Sequence, residues 1–222
     1  MTNRRVPFAV NEWYHCYNRG IEKRIVFEDT RDYHRFLELL YLANDEFPLR
    51  RSDISIHKFE EILKIPRGKK LVAIGAFCLM PNHFHLVLKE VSEGGVTAFM
   101  RKIGTAYTLY FNARHRRNGN LFLKPFRSIH VFTDRYFQHL INYIHCNSAT
   151  LYEPEWMASH VVDPQFLGEQ IAAYPYSSLS AHAGIRTPIS AILDAEIFSI
   201  TRPARIQKML QEARQYAQNN VV

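Results

Sequence analysis

The sequence has 222 residues and 47% of them are hydrophobic, which is enough for one sizeable domain with its own core. Its formal net charge of +7 indicates a polyanionic partner such as nucleic acid, although basic proteins without one are common. No signal peptide or membrane span is expected, and three widely separated cysteines without a CxxC pair are typical of reduced thiols in a cytoplasmic protein.

The first part of the chain predicts a strand, a helix and an insertion. Residues 12–19 alternate aromatic and polar side chains, which favours a strand. Apolar residues within 33–41 recur at helical spacing and predict an amphipathic helix. The charged stretch over 44–70 is interpreted as an insertion with a short helix near 59–63, and the basic segment 1–10 as a terminal arm.

A β-hairpin with two histidines is predicted next. Two apolar runs, over about 71–79 and 83–89, flank a Pro81-Asn82 pair that is typical of a tight turn. Side chains alternate along a strand, so His83 and His85 share one face with about 6 to 7 Å between their backbones. Such a pair can share a divalent cation, but it is equally compatible with two structural histidines. Two ligands are too few for a catalytic metal site, so other groups must complete it.

The remaining pattern predicts the rest of a small sheet. A helix is predicted over 96–113, a strand over 128–132 and a second amphipathic helix over 134–148. After Pro154 the chain is expected to be irregular until an amphipathic helix at 204–219. The order strand, helix, strand, strand, helix, strand predicts an α+β, ferredoxin-like (RRM-like) fold, with an open antiparallel sheet and helices on one face. The other face is then available for a site.

Five blocks of sequence carry a resemblance to a known family. They are YHCYNRGIEKRIVFEDTRDYHRF, CLMPNHFHLVLK, MRKIGTAYTLYFNARHRRNGNLF, YIHCNSA and YPYSSL, which together span roughly 12–182. In this order they resemble the single-tyrosine HUH transposases, and most of all the REP-associated tyrosine transposases. The sequence departs from that pattern where Ser148 follows Asn147 in place of proline, and where Tyr176 replaces a frequent tryptophan.

The resemblance implies a DNA strand transferase with an HUH fold, whose tyrosine helix lies over the free face of the sheet. In this family a tyrosine attacks a phosphate of single-stranded DNA folded into an imperfect hairpin, becomes linked to the 5′ end and leaves a 3′ hydroxyl. Two histidines and a polar residue hold a divalent cation, commonly Mg²⁺ or Mn²⁺. By this resemblance His83, His85 and Asn147 are the metal ligands and Tyr143 is the nucleophile.

Helix geometry is compatible with these roles, because residues i and i+4 lie about 6 Å apart on one helix face. Each role also has an ordinary structural alternative. Tyr143 would also suit the stripe of an amphipathic helix, and Asn147 would also suit a helix C-cap. Tyr107 and Tyr110 are the rival tyrosines, but both fit the apolar stripe of the preceding helix.

Several polar and basic residues are candidates for DNA contact. They are Asn18, Arg19, Arg101, Arg114, Arg116, Arg117, Lys124 and Arg127. Most of the basic ones cluster around one loop and strand over 114–127, and Asn18 and Arg19 are included because the first strand of the family that the sequence resembles ends this way. Contacts from such groups to phosphates would make binding strongly dependent on salt. The alternatives are a solvated basic loop for the arginines near 114–117, and simple turn chemistry for Asn18 and Arg19.

Two other functions remain open from the sequence. One is a non-catalytic binder of structured single-stranded nucleic acid on an RRM-like sheet. The other is a metal-dependent phosphodiesterase that uses water. The expected organisation is a transposase domain over 1–182, including the insertion over 44–70, and a C-terminal extension over 183–222. The extension resembles that of the REP-associated transposases, which implies a monomer with its own tyrosine and leaves a homodimer open.

Overall fold

The computed structural model describes residues 7–47, 51–55, 58–158, 163–201 and 204–219. Residues 1–6 of the expected basic arm lie outside this part, as do 48–50 and 56–57 of the expected insertion. Within the described ranges, none of the helices combines the length and the apolar character that crossing a lipid bilayer requires.

Four strands form one antiparallel sheet: β1 (Trp13–Arg19), β2 (Val72–Met80), β3 (His83–Glu90) and β4 (Arg127–His130). Their order is β2-β3-β1-β4, so β3 and β1 lie at the centre. This order confirms the α+β, ferredoxin-like fold that the sequence predicts. The turn at Pro81-Asn82 joins β2 to β3 as expected.

The helices of the described residues are α1 (Thr30–Leu42), α2 (Phe59–Ile62), α3 (Gly95–Arg114), α4 (Asp134–Cys146), α5 (Pro164–Ala173), α6 (Leu179–His182), α7 (Ile197–Ile200) and α8 (Ile206–Asn219). Short 3₁₀ turns occupy Ile21–Lys23, Arg51–Asp53, Asn147–Leu151 and Pro188–Ile192. Side-chain caps define several of the starts. Asp29 accepts from backbone N–H groups at the start of α1, and Thr133 does so at the start of α4.

The expectation of an irregular chain after Pro154 is wrong. Helix α5 forms there because Asp163 caps its first turn, accepting from the N–H groups of Gln165 and Phe166. Pro164 occupies the first helical position, where its missing N–H costs nothing. Leu167 and Ile171, one turn apart, are both buried against the rest of the fold.

Alternation along β3 divides the two faces of the sheet. Phe84 points toward the helices α1 and α3, and its ring lies 4.8 Å from that of Phe36. His83 and His85 point to the opposite face, as the sequence predicts. Part of that face is covered by other elements, as the complete burial of the neighbouring Val87 side chain shows.

Helices α4 and α8 cover this second face. The apolar stripe of α4 reaches the sheet, where the Phe137 ring lies 5.2 Å from the Trp13 ring. Helix α8 packs along α4 through buried Met209, Leu210 and Ala213. The C-terminal segment therefore forms part of the layer above the two histidines.

Candidate active site

A cavity of about 390 Å³ opens on the covered face at the ends of β1 and β3. It is lined by Tyr17, Asn18, Arg19, His83, His85, Leu123, Pro125, Arg127 and Tyr143. The pairing of β1 with β3 places Arg19 opposite His83 and Tyr17 opposite His85. Two of the three predicted metal ligands and the predicted nucleophile therefore meet at one cavity.

The imidazole of His83 lies between two side-chain amides. Its Nδ1 is 2.6 Å from Oδ1 of Asn82, and its Nε2 is 3.1 Å from Oδ1 of Asn147. Burial lowers the pKa of His83 to about 4, although the hydrogen bond to Asn147 acts to raise it. The ring is therefore neutral at pH 7. A neutral ring carries a single N–H, and when Nδ1 donates to Asn82 the Nε2 lone pair faces the Asn147 oxygen.

The imidazole of His85 is more deeply buried and contacts a second histidine on the side away from the cavity. Its Nδ1 lies 2.8 Å from Nε2 of His15, whose side chain is completely buried. Burial first, and the nearby His83 second, lower the pKa of His85 well below its usual value. Among the described residues, Nε2 of His85 has no hydrogen-bond partner, and the side chain lines the cavity.

Tyr143 lies above the paired histidines. The centre of its ring is 5.6 Å from that of His85, and the two rings are almost perpendicular. Burial raises the pKa of Tyr143 to about 12, and an interaction with the Asn147 side chain partly opposes this rise. The phenol is therefore protonated at neutral pH.

Asn147 is the C-cap residue that follows α4, and it has ordinary right-handed helical backbone angles. It therefore occupies the C-cap position that the sequence offers as its structural alternative. The Asn147 side chain contacts His83 but is not among the residues that line the cavity. The helix end thus delivers a polar oxygen to the histidine pair.

These donors fit a divalent cation. No group of three His, Cys, Asp or Glu side chains is arranged for a metal within the described residues, and the candidate set here is two imidazoles and an amide oxygen. Neutral imidazole nitrogen and amide oxygen are both established metal ligands. Neighbouring ligands of octahedral Mg²⁺, with bonds of about 2.1 Å, lie about 3 Å apart. Nε2 of His83 and Oδ1 of Asn147 have this separation, at 3.1 Å.

The candidate DNA-contact residues fall into three structural groups, of which two line openings on the surface. Asn18, Arg19 and Arg127 line the cavity, and Asn18 also donates from Nδ2 to the Leu123 carbonyl. Arg101 and Lys124 line a neighbouring groove of about 550 Å³, which shares Asn18, Leu123 and Pro125 with the cavity. The two openings form a continuous surface with positive charge along it.

The basic loop after α3 contributes less free charge than its sequence suggests. Arg114 pairs with the carboxylate of Asp29 at 2.6 Å and also with that of Asp32, which is completely buried. Arg117 bonds to the side chain of Asn112 and to the Asn120 carbonyl. Arg116 is exposed. Arg114 is thus tied to the core of the molecule.

Replacement of Arg114 is expected to destabilise the fold. Arg114→Met leaves the buried Asp32 carboxylate with only its bonds from the Tyr110 hydroxyl and the Glu28 N–H, so the free energy of unfolding should fall by about 3 kcal/mol. The exposed control Arg116→Met should change it by less than about 0.5 kcal/mol. Urea unfolding measures both, and equal effects would contradict a structural role for Arg114.

Comparison with known proteins defines the class of this fold. A solved structure of a REP-associated tyrosine transposase bound to a REP hairpin is similar, with a TM-score of 0.52 over 85% of this chain and 90% of that chain. At 13% sequence identity, this likeness concerns the fold alone. No curated protein matches the sequence.

The family follows from the sequence itself. The model described as "Transposase IS200 like" matches residues 13–148, which is more than half of the chain. The protein therefore belongs to the IS200-like transposase family. This range contains both histidines, Tyr143 and Asn147, and it ends well before α8.

Sequence reasoning missed three residues that the structure brings to this region. Tyr17 lines the cavity, and its ring is stacked on that of His85 with 5.5 Å between the ring centres. His15 supports His85 from below, and Tyr216 on α8 contacts His15. Strand alternation places His15 and Tyr17 on the same face of β1 as Arg19, so the sequence contained a signal for these two residues. It contained no comparable signal for Tyr216.

Proposed function

We propose that the protein is a metal-dependent DNA strand transferase. It nicks and rejoins single-stranded hairpin DNA through a covalent bond between Tyr143 and a 5′ phosphate. The observation that carries this proposal is that Tyr143 and the paired histidines line one cavity of a single chain. Membership of the IS200-like transposase family supports a DNA-processing activity, and the similar transposase bound to a REP hairpin supports hairpin DNA as the ligand.

Cleavage in this proposal is an exchange of one phosphoester for another. The Tyr143 oxygen bonds to phosphorus as the bond from phosphorus to the 3′ oxygen breaks. The phenol loses its proton, and the departing 3′ oxygen gains one. With a pKa of about 12, the phenol must lose this proton as the new bond forms. Because the phosphotyrosine retains a phosphoester, a 3′ hydroxyl can later reverse the step and join strands.

His83, His85 and Asn147 would hold a divalent cation, Mg²⁺ or Mn²⁺. When bound, it supplies positive charge that stabilises the negative charge developing on the phosphate oxygens. Arg19 lies opposite His83 in the sheet and adds a second positive charge at the cavity. Arg127 lines the same cavity, so the attacked phosphate is held by charges from more than one direction.

One chain supplies every proposed group of this site, which supports a monomer with its own tyrosine over a homodimer that exchanges helices. The proposed organisation is a transposase domain over 1–182 and an extension over 183–222. The extension packs its last helix, α8, against α4. The site thus has a C-terminal cover from the same chain.

The test is incubation with repeat-derived hairpin oligonucleotides that carry single-stranded flanks, with Mn²⁺ or with EDTA. We expect a protein–DNA adduct that survives a denaturing gel and forms only with Mn²⁺. Binding that is unaffected by EDTA, without any adduct, would instead indicate a non-catalytic hairpin binder. Nicking without an adduct would indicate a phosphodiesterase that uses water.

Hairpin binding is expected to depend steeply on salt. The described structure shows no ion-pair partner for Arg19, Arg101, Arg116, Lys124 or Arg127. If four of these contact phosphates, affinity should fall by roughly 100-fold between about 50 and 200 mM salt. Fluorescence anisotropy with a labelled hairpin measures this, and an affinity independent of salt would contradict phosphate contact by these groups.

A further inference from the structure

A buried line of hydrogen-bonding groups runs beneath His85, away from the cavity. Nδ1 of His85 lies 2.8 Å from Nε2 of His15, and Nδ1 of His15 lies 2.9 Å from the Tyr216 hydroxyl. The Tyr216 hydroxyl lies 3.3 Å from the hydroxyl of Tyr136. The line joins β3, β1, α8 and α4 in turn.

This line is enclosed by protein. The side chain of His15 is completely buried, and those of Tyr216 and His85 are 1% and 3% exposed. The aromatic rings also pack on each other: the Tyr216 ring lies 4.8 Å from that of Tyr143 and 5.9 Å from that of His15. Water therefore does not compete for these hydrogen bonds, and each ring nitrogen depends on its protein neighbour.

Each neutral imidazole has one N–H, so the line can run in only two directions. In one direction, Nδ1–H of His85 donates to His15 and Nδ1–H of His15 donates to Tyr216. This arrangement leaves Nε2 of His85 with a lone pair toward the cavity. In the other direction Tyr216 donates to His15, His15 donates to His85, and Nε2 of His85 carries a proton that prevents metal binding.

We propose that His15 and Tyr216 are positioning residues that fix His85 as a metal ligand. His15 accepts a hydrogen bond from Nδ1–H of His85, and Tyr216 accepts one from Nδ1–H of His15. The Nε2 lone pair of His85 then points into the cavity. This inference rests on the proposed metal-dependent function. It also makes α8 part of the site, although α8 lies outside residues 13–148 that the family model matches.

The hydrogen bonds also orient the ring. A ligating histidine generally donates its second N–H to a fixed acceptor, and loss of that acceptor weakens metal binding by about 10- to 100-fold. Here the acceptor is a second histidine rather than a carboxylate or a backbone carbonyl. His15 can accept or donate at either nitrogen, and so can the Tyr216 hydroxyl. Loss of that hydroxyl would leave Nδ1–H of His15 buried without an acceptor, which favours the opposite direction of the line.

The test measures Mn²⁺ affinity by calorimetry on the full chain without DNA. Tyr216→Phe keeps the ring and His15→Phe keeps an aromatic side chain of somewhat greater volume. Both remove the acceptors, and each should weaken Mn²⁺ binding by about 10- to 100-fold. His15→Gln should restore binding to within a few fold, because its amide oxygen lies about where Nε2 of His15 does. Tyr174→Phe is the matched control, since it removes a partly buried tyrosine hydroxyl that is bonded to the Leu79 carbonyl, and it should leave Mn²⁺ affinity unchanged.

A second readout needs no metal. Imidazole ¹⁵N shifts of the metal-free wild-type protein should show His85 protonated at Nδ1, and Tyr216→Phe should change this tautomer while Tyr174→Phe does not. A wild-type His85 protonated at Nε2, or equal Mn²⁺ affinities in folded Tyr216→Phe and Tyr174→Phe, would overturn the inference. Wild-type protein that binds no Mn²⁺ but shows the Nδ1 tautomer would instead contradict the proposed function.

Discussion

Tyr143→Phe is expected to abolish the covalent protein–DNA adduct and to lower strand cleavage by at least about 10⁴-fold, because it removes only the attacking oxygen. The ring itself packs against Tyr216 and His85, and phenylalanine preserves both contacts. Folding and hairpin binding should therefore remain close to those of the wild type. Denaturing gels measure the adduct, and fluorescence anisotropy measures the binding.

Tyr110→Phe is the matched control for this variant. Tyr110 lies on α3, and its hydroxyl bonds to Asp32 rather than facing the cavity. The control should form the adduct at the wild-type rate. An adduct that persists in Tyr143→Phe would move the nucleophile elsewhere, and Tyr17 would then be the candidate because it lines the same cavity.

His83→Ala is expected to weaken Mn²⁺ binding strongly and to lower cleavage by about 10²- to 10³-fold, the usual cost of losing one electrostatic stabiliser of a transition state. His83 contributes the Nε2 that lies 3.1 Å from the Asn147 oxygen, so alanine leaves two of the three proposed ligands. Raising the Mn²⁺ concentration should restore part of the activity. Calorimetry and cleavage assays over a range of Mn²⁺ concentrations measure both effects.

His139→Ala is the control, because His139 lies on α4 but lines a different surface depression with Lys208 and Glu212. It should bind Mn²⁺ and cleave DNA as the wild type does. A His83→Ala protein with wild-type Mn²⁺ affinity, or cleavage that is unaffected by chelator, would show that the paired histidines are structural.

Local patterns were sufficient to predict the sheet and which of its faces carries the two histidines. Strand alternation places His83 and His85 on one side, and the Pro81-Asn82 turn fixes where β3 begins. Helix α5 was also readable in principle, since the Asp163-Pro164 pair combines a cap with a favoured first residue. These features depend only on neighbours in the chain.

The remaining parts of the site depend on contacts between distant segments. The position of Tyr17 beside His85 follows from the β1–β3 register, which no local pattern defines. Tyr216 lies 201 positions from the histidine that it contacts. The periodicity of α8 predicts an apolar side, but it does not identify the surface that this side covers. The carboxylates that pair with Arg114 lie on or beside α1, and no local sequence pattern predicts this pairing either.

The most direct test of the central claim is to locate the DNA linkage by mass spectrometry. After reaction with a hairpin oligonucleotide and Mn²⁺, nuclease and trypsin digestion should leave a nucleotide on the peptide between Arg135 and Arg186, and fragmentation should place it on Tyr143. A nucleotide on the peptide over 6–19, which carries Tyr17, would contradict the claim, as would an active protein without any modified tyrosine.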